Sequence, residues 1–317
     1  MAALVRIAVD GMGGDFGPRL AFEACCDFLA LQPDTAIDLF VVEPFTAPSD
    51  CPDRLCLVYC QQAVLADDNP VYALRHKQAS SMGQALTYVR DGLAGGCVSA
   101  GNTGSLVMLA SHLVGIKPGV TRPALCTAVP TQTGASWLLD LGGVLSPDAD
   151  RLAEYAYLGA SEARRVLKRR ISVALLNVGQ EAEKGPQVLR EAAQRLKSAN
   201  DFDYIGFVEP AGLFAGAADV VVCDGLMGNM VLKSAEAAAA TVLTVVKNEF
   251  MTSLWRRTLA WLCRGLFREI RSQLHPAGLN GALLLGLNGI VVKSHGGADK
   301  EAFLAALNIA YRAISSN

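Results

Sequence analysis

The sequence lacks the features that indicate nucleic-acid binding, secretion or a membrane span. Its 317 residues carry 28 lysines and arginines against 30 aspartates and glutamates, so the formal net charge is only −2. A nearly neutral surface gives no electrostatic case for nucleic-acid binding over its whole area. The apolar stretch at the N-terminus ends after about five residues, too short for the core of a signal peptide. No uninterrupted apolar run approaches the roughly 18 residues that span a bilayer. We therefore expect a cytoplasmic protein.

The chain also lacks a recognisable pattern of metal ligands or paired cysteines. Nine cysteines occur, but Cys51, Cys56 and Cys60 do not have CxxC spacing and no histidine lies near them. Several of the others lie within apolar runs, where a small hydrophobic residue fits. The sequence thus predicts no metal, no cofactor and free thiols in a reducing compartment.

Short apolar segments alternate with helical patterns along the chain. Strands are predicted at residues 4–9, 37–42, 55–59, 137–141, 173–178, 202–208 and 220–223, and helices at 19–31, 83–94, 106–114, 148–170, 229–250 and 299–314. This alternation is typical of a doubly wound α/β sheet, and we expect the glycine-bearing loops after the strands to gather along one edge. Without an internal repeat or linker, residues 1–317 are predicted to form a single domain, from which a helical element at residues 240–280 protrudes.

The segment VSAGNTGS, residues 98–105, joins an apolar strand to an apolar helix. Its small and amide-bearing residues leave the first N–H groups of the helix free, and the helix dipole adds partial positive charge. Phosphate or a phosphorylated ligand suits such a turn. The alternative is a turn that needs glycine for its backbone angles and binds nothing. The candidate contacts are Ser99, Gly101, Asn102, Thr103 and Gly104.

Other strand ends add candidate ligand contacts. The glycine loop after Asp10 follows the first strand, where open α/β sheets bind ligands. Asp10 either lines that pocket with Gly13 and Gly14 or shapes the loop through bonds to backbone N–H groups. Lys184, between a strand end and the next helix, is well placed to face a ligand anion. His295 follows the last strand into two glycines, which favours a ligand-facing role over that of a core histidine.

The predicted helix at residues 148–170 ends in a cluster of cationic residues. Cations at a helix C-terminus complement the helix dipole, so the cluster has a structural explanation. It also fits docking of an acidic protein. The cluster consists of Arg164, Arg165, Lys168, Arg169 and Arg170.

Between residues 253 and 271 an arginine-rich face lies opposite an apolar, tryptophan-bearing face. Projected at about 100° per residue, the arginines fall within an arc of roughly 120°. This pattern is typical of a helix that lies on an anionic membrane surface. The alternative is a core or dimer helix whose arginines face solvent. The predicted membrane contacts are Trp255, Arg256, Arg257, Leu259, Trp261, Leu262, Arg264 and Leu266.

A series of segments, taken together, resembles one family in order and spacing. They are IAVDGMGGDFGP, SAGNTG, RPALCTAVPT, LLNVGQEAEKG, DYIGFVEP, ADVVVCDGLMGN and NGIVVKSHG, and they extend over nearly the whole chain. On these segments the chain resembles the bacterial phosphate acyltransferases (PlsX type). The resemblance implies an enzyme that moves a fatty acyl group from an acyl carrier protein thioester to inorganic phosphate, giving acyl phosphate for phospholipid synthesis.

The resemblance also implies a fold and a cellular setting. The fold is a three-layer α/β/α sandwich, Rossmann-like and similar to isocitrate and isopropylmalate dehydrogenases. The setting is a homodimer at the inner face of the cell membrane, from which a membrane acyltransferase receives acyl phosphate. Some positions depart from the family pattern. Val144 stands where many members have asparagine, Leu226 and Met227 replace an aromatic and a hydroxyl residue, and Phe16 stands where many have histidine.

Phosphate is already ionised near neutral pH, so this chemistry needs positioning and relief of charge repulsion more than a base. Our hypothesis from the sequence is that residues 101–104 hold phosphate while Lys184 balances its charge. Asn229 and His295 polarise the thioester carbonyl, with Asp224 and Gly228 as neighbouring substrate contacts. The basic cluster at residues 164–170 docks the acidic carrier. A nicotinamide-dependent dehydrogenase and a non-catalytic membrane scaffold are the alternatives.

Overall fold

A computed structural model of the chain describes residues 4–48, 51–144, 146–265 and 280–316. The strands and helices before residue 120 are β1 (Val5–Asp10), α1 (Gly17–Leu31), β2 (Thr35–Val42), β3 (Leu55–Cys60), α2 (Pro70–His76), α3 (Ser81–Arg90), β4 (Gly96–Ser99) and α4 (Thr103–Leu113). Those after it are β5 (Ala124–Thr131), β6 (Gly134–Leu139), α5 (Ala149–Leu167), β7 (Ser172–Leu176), α6 (Gln187–Leu196), β8 (Asp203–Val208), α7 (Pro210–Ala215), β9 (Val220–Val222), α8 (Gly225–Met251), α9 (Leu254–Leu262), β10 (Ala282–Leu285), β11 (Ile290–Lys293) and α10 (Lys300–Ser315). The strands and longer helices predicted above are present, with ends shifted by a few residues.

The 11 described strands form one mixed sheet in the order β3-β2-β1-β4-β11-β10-β5-β6-β9-β7-β8. Helices cover both faces of the sheet. Successive residues of a strand point to opposite faces, and apolar residues on both faces are buried against helices. In β1, Ile7 and Val9 pack in the cluster that contains α1 and α10, whereas Ala8 packs with α3 and α4. In the other half, α5 and α6 lie on one face, and α7 and the start of α8 on the other. The predicted three-layer α/β/α architecture is confirmed.

The sheet consists of two parallel halves that run in opposite directions. β1 to β4 and β11 run one way and β6 to β9 the other, with antiparallel pairings at β10 and β5 between them. Lys293, the last residue of β11, pairs with Ala282 of β10. The residue after Ala282 on β10 is Leu283, which pairs with Cys126 of β5. Cys126 in turn pairs with Leu139, the last residue of β6. The carboxyl ends of the two halves therefore lie almost level at the middle of the sheet. The expectation of one shared edge was wrong, because two sets of loops approach each other from opposite directions.

Helix α8 is anchored at its N-terminal end and exposed over much of its length. Asp224 caps it by accepting the Met227 N–H at 2.7 Å. An added Cβ on Gly228 would lie 1.9 Å from the Asp140 carbonyl oxygen, so glycine permits the close contact with the end of β6. Among the described helices, α8 is the one that is long and apolar enough to cross a membrane, by length and composition alone. Its contact with β6 fixes where the first turns of α8 lie.

Gly228→Ala is expected to lower the free energy of unfolding by about 1–3 kcal/mol, because the added methyl group overpacks this contact. Equilibrium unfolding in urea measures the change. Gly212→Ala in α7 is the matched control, because a methyl group there meets no atom closer than 3.6 Å. Alanine is the better helix former, so the control should keep or raise stability. A Gly228→Ala unfolding curve that coincides with wild type would contradict the role of this contact.

Candidate functional site

A cavity of about 120 Å³ lies where the loops of the two halves of the sheet meet. From the residues predicted above, it brings together Thr103 at the start of α4, Asn229 on α8 and His295 after β11. Lys233 of α8 and Lys293 of β11 also line it. The cavity thus combines a helix N-terminus, the Asn229 and Asn280 amides, an imidazole, two ammonium groups and the Glu236 carboxylate. This excess of cationic and donor groups is a setting for a small anion.

A short turn joins β4 to α4, as the sequence predicted, but α4 begins at Thr103 rather than at Leu106. Asn102 is the N-cap, and its side-chain oxygen accepts the Ser105 N–H at 2.9 Å. Its amide nitrogen donates to the Ala66 carbonyl at 2.8 Å, so this side chain holds the turn in place. Thr103 and Gly104 open the helix, and first-turn N–H groups have no acceptor within their own helix. These two N–H groups, rather than the Asn102 side chain, are the ones suited to an anion.

Asp10 lies behind the cavity and is 2% exposed. It accepts hydrogen bonds from the hydroxyls of Ser81 and Ser99, both at 2.7 Å, and from the Met12 N–H at 3.3 Å. Burial raises the pKa of Asp10, and these hydrogen bonds together with nearby Lys293 oppose that rise. Asp10 is not among the residues that line the cavity. Its contacts are those of a loop-shaping carboxylate, the second of the two roles considered above.

The predicted glycines of these loops lie where backbones pass very close to one another. A Cβ on Gly13 would lie 2.5 Å from the Gly101 backbone nitrogen, and one on Gly101 would lie 2.5 Å from the Met82 side chain. Gly14 has φ +90°, and its Cβ would lie 3.0 Å from the Gly296 carbonyl oxygen. Glycine therefore brings the loop after β1 against the loops after β4 and β11.

Lys293 is a cavity residue that the sequence hypothesis missed. Its ammonium group donates to the Ser294 carbonyl and lies 3.5 Å from the Ala100 carbonyl. Burial lowers the pKa of Lys293 to about 8, although Asp10 acts to raise it. The sequence offered one sign of this role, a lysine at the end of a buried strand and two residues before His295. Most of the groups around the Lys293 ammonium, however, come from segments distant in sequence.

The other titratable groups of the cavity are ordered by hydrogen bonds. Lys233 pairs with Glu236 one turn later on α8, with the two atoms 2.8 Å apart. The His295 ring Nδ1 accepts the Gly297 N–H at 3.1 Å, so the neutral ring carries its proton on Nε2. Burial, followed by repulsion from Lys233 and Lys293, lowers the pKa of His295. The imidazole is therefore a neutral hydrogen-bond donor near neutral pH.

A second buried carboxylate, Asp140, organises the loop after β6. It accepts the N–H groups of Leu125 at 3.0 Å, Leu141 at 2.7 Å, Gly143 at 3.1 Å and Val144 at 2.6 Å. Burial raises the pKa of Asp140, and these four bonds act against the rise. A strand-end aspartate followed by two glycines was the signal for this role in the sequence.

Three of the departures named above, Val144, Leu226 and Met227, lie at or next to the start of α8, whereas Phe16 precedes α1 and is 60% exposed. The Val144 carbonyl accepts the first N–H of α8, from Gly225, at 2.9 Å. This contact uses only backbone atoms, so it persists without the asparagine side chain. Leu226 and Met227 line a separate apolar groove of about 680 Å³, which also contains Asp224. Asp224 and Gly228 therefore act here as a cap and a packing position, and their predicted substrate contacts stay predictions.

Lys184 lies in the loop after β7, outside the cavity lining. Its ammonium group pairs with Glu181 at 2.7 Å, and its side chain is 55% exposed. The Lys184 carbonyl accepts a bond from the Asn177 amide at 3.0 Å. The geometry brings Asn229 and His295 together but not Lys184, whose predicted role stays a prediction.

The predicted carrier-docking cluster lies at the amino end of β7, whereas the cavity lies at carboxyl ends of strands. Arg165 pairs with Glu162 at 2.6 Å and Arg169 with Asp219 at 2.6 Å. Lys168 ends α5 in the left-handed conformation. Part of the positive charge is thus already neutralised within the protein. The basic side chains of the cluster line an open groove: Arg164, Arg165, Lys168, Arg169 and Arg170.

The predicted membrane helix begins as α9 and presents its large apolar side chains to solvent. Trp255 is 74% exposed, Trp261 62% and Leu262 65%, with Leu259 at 40%. The Arg264 guanidinium lies 5.3 Å from the centre of the Trp261 ring. Arg256 pairs with Glu249 of α8 at 2.9 Å, so the charge of this arginine is partly neutralised within the protein. The predicted contact Leu266 lies outside the described residues.

Comparisons with known proteins agree over nearly the full length of the chain. A family model described as "Fatty acid synthesis protein" matches residues 5–317. The chain is 41% identical to a phosphate acyltransferase of Saccharophagus degradans, over 100% of this chain and 94% of that protein. It is 43% identical to a phosphate acyltransferase of Pseudomonas paraeruginosa, over 98% of this chain and 94% of that protein.

Solved structures are similar in fold at low sequence identity. A branched-chain phosphotransacylase from Enterococcus faecalis aligns with a TM-score of 0.63 and 15% identity, over 98% of this chain and 99% of that one. An isocitrate dehydrogenase from Methylococcus capsulatus aligns with a TM-score of 0.52 and 11% identity, over 99% and 86%. These likenesses confirm the predicted similarity to the isocitrate dehydrogenase fold.

Anion binding in the cavity is expected to weaken as pH rises through about 8, where Lys293 loses its proton. The sign follows from charge, since only the protonated amine attracts an anion. Sulfate keeps its charge over this range, so calorimetric titration with sulfate at several pH values reports on the protein alone. Lys293→Met should weaken binding about tenfold at neutral pH and remove this pH dependence.

Lys184→Met provides the comparison between the two lysines. If the cavity is the anion site, this variant should keep both the affinity and the pH dependence of wild type. A wild-type affinity that stays constant across pH 8 would contradict the role of Lys293. Loss of binding in Lys184→Met alone would favour the original hypothesis from the sequence.

Proposed function

We propose acyl transfer to inorganic phosphate as the function of this chain, because it belongs to the fatty acid synthesis protein family, and the relatives compared above are phosphate acyltransferases. The protein is an acyltransferase of lipid synthesis. We further propose that its donor is a fatty acyl thioester of acyl carrier protein and that its product is acyl phosphate. The observation that carries the proposal is the central cavity, where two lysines and a helix N-terminus meet an amide and a neutral imidazole.

Phosphate binds, in this proposal, between the first turn of α4 and the ammonium groups of Lys293 and Lys233. The N–H groups of Thr103 and Gly104 contribute donors, and the helix dipole adds to the attraction. The nucleophile is hydrogen phosphate, which is already an anion. The site therefore needs to position it and reduce its repulsion from the developing oxyanion more than it needs a base.

The thioester carbonyl lies against Asn229 and His295. The Asn229 amide and the His295 Nε2–H donate to the carbonyl oxygen as it gains negative charge. A phosphate oxygen forms the new bond to the carbonyl carbon, and the carbon–sulfur bond breaks. The proton of hydrogen phosphate balances the departing thiolate, so the products are acyl phosphate and the free carrier thiol. The thiol's ordinary pKa near 8.5 makes a strong acid at sulfur unnecessary.

The proposal extends to the cellular setting, and the exposed tryptophans of α9 support its membrane part. We propose that the protein is a homodimer that rests on the inner face of the cell membrane through α9, with its exposed tryptophans and arginines as contacts. A membrane acyltransferase takes up the acyl phosphate there. Arg164, Arg165, Lys168 and Arg169 remain the proposed docking residues for the acidic carrier.

Asn229→Ala is expected to lower kcat for acyl phosphate formation about 100-fold, because it removes one donor to the oxyanion. The assay follows phosphate-dependent release of the carrier thiol from acylated carrier protein. Lys293→Met should act mainly on the KM for phosphate, because it removes a binding charge. Asn308→Ala on α10 is the matched control, since that amide lies outside the cavity lining and donates to the Leu304 carbonyl one turn earlier on its own helix.

Absence of phosphate-dependent turnover by wild type would refute the proposed activity. A kcat of Asn229→Ala within about twofold of wild type, together with an unchanged KM for phosphate in Lys293→Met, would refute the residue assignment while leaving the activity in place. A large loss in Lys184→Ala would instead return that residue to the site.

Reversal of two arginine charges on α9, in Arg256→Glu/Arg257→Glu, should release the protein from anionic vesicles. Each cation near such a surface contributes about 1 kcal/mol, so the double variant should bind at least about tenfold more weakly. Co-sedimentation with phosphatidylglycerol vesicles measures binding, and phosphatidylcholine vesicles are the lipid control. Arg19→Glu/Arg312→Glu carries the same charge change elsewhere on the surface and should bind like wild type. Unchanged binding of the α9 variant would refute this membrane contact.

A further inference from the structure

Part of the cavity that holds the lysines is lined by apolar side chains. These are Leu125 of β5, Leu141 after β6, Leu232 of α8 and Ala282 of β10. Neither the phosphate nor the carbonyl of the proposed reaction needs them. Their position beside the polar groups indicates that the cavity also receives an apolar part of the ligand.

Leu232 follows Asn229 by three residues on the same helix. Residues at this spacing are neighbours on one helix face. A carbonyl oxygen bonded to Asn229 therefore places the adjoining carbon of the acyl group close to Leu232. Ala282 is likewise a direct neighbour of Lys293, because the two residues pair across β10 and β11. Side chains of such pairs stand on the same face of the sheet.

Leu125 and Leu141 are held in place by one buried carboxylate oxygen. Asp140 Oδ1 accepts the Leu125 N–H at 3.0 Å and the Leu141 N–H at 2.7 Å. Leu125 is itself 3% exposed. These two leucines therefore form a fixed wall, so added bulk in the ligand cannot easily displace them.

The size of the cavity limits how much of an acyl chain it holds. Its volume of about 120 Å³ lies well below the roughly 300–1,000 Å³ of pockets that enclose drug-sized ligands. Once a phosphate group and a carbonyl occupy it, space remains for only the first few carbons. The distal part of a fatty chain must lie outside.

We propose that Leu125, Leu141, Leu232 and Ala282 form a subsite for the acyl carbons next to the carbonyl. This inference rests on the proposed function and adds a specificity to it. The wall admits an unbranched chain and excludes a methyl branch on the carbon beside the carbonyl. Chain length has little influence within the cavity, because the distal carbons lie beyond it.

The test uses 2-oxoalkylphosphonates, stable analogues in which a methylene group replaces the bridging oxygen of an acyl phosphate. Calorimetry compares a straight 2-oxohexylphosphonate with its 3-methyl derivative, whose branch lies beside the carbonyl. Wild type should bind the branched analogue at least about tenfold more weakly, the usual effect of one methyl group in a fixed apolar pocket. Lengthening the straight chain by several carbons should change affinity by less than about threefold.

Leu232→Ala should reduce the discrimination against the branched analogue to within about twofold, because it opens the wall next to Asn229. Met230→Ala is the matched control. It lies on the same helix in the separate apolar groove, and its side chain is 60% exposed. This control should discriminate as wild type does, and circular dichroism confirms the fold of both variants.

Equal binding of straight and branched analogues by wild type would overturn the subsite. An unchanged preference in a folded Leu232→Ala would overturn it as well. Because these are binding measurements, they are independent of turnover. Failure of the thiol-release assay alone would count against the proposed function, whereas a missing branch preference with normal turnover would count against this subsite alone.

Discussion

A carboxylate buried at the end of a strand must collect hydrogen bonds, because an unpaired charge in a protein interior is very costly. Two such groups organise this molecule, one in each half of the sheet. Asp10 gathers two serine hydroxyls and a backbone N–H, and Asp140 gathers four backbone N–H groups. Each fixes the loop after its own strand. Since the two strand ends lie nearly level, the loops they fix form the two sides of the cavity.

The protonation states of Lys293 and His295 depend on the groups that surround them in this arrangement. Asp10 lies behind Lys293 and favours its charged form, whereas burial and Lys233 favour the neutral form. The balance places the pKa of Lys293 at about 8, so the ammonium group is largely charged near neutral pH yet incompletely neutralised by its surroundings. In the proposed function, the bound phosphate completes that neutralisation. Burial, followed by repulsion from Lys233 and Lys293, lowers the pKa of His295, so the imidazole is a neutral hydrogen-bond donor and not a competing cation.

The same short segments supply both the apolar and the polar side chains of the cavity. The first turns of α8 present Asn229, Leu232 and Lys233 to one cavity, because residues three and four apart share a helix face. Helix α8 can approach closely enough only because Gly228 lacks a side chain. A reaction that joins a phosphate to a fatty acyl group requires this combination, since its ligand is charged at one end and apolar at the other.

The sequence by itself determined the strands, the helices and much of the turn before α4. Those features depend on local periodicity, capping and glycine, which are read from short segments such as the one around Asn102 before α4. Only the tertiary structure decided which lysine faces the cavity. Lys184 and Lys293 both follow the pattern of a cation near a strand end, but Lys184 pairs with nearby Glu181 at the surface. Lys293 gains its environment from Asp10, Lys233 and Ala100. Those contacts arise from pairing between distant strands and from the reversal of direction between the two halves, which no local pattern encodes.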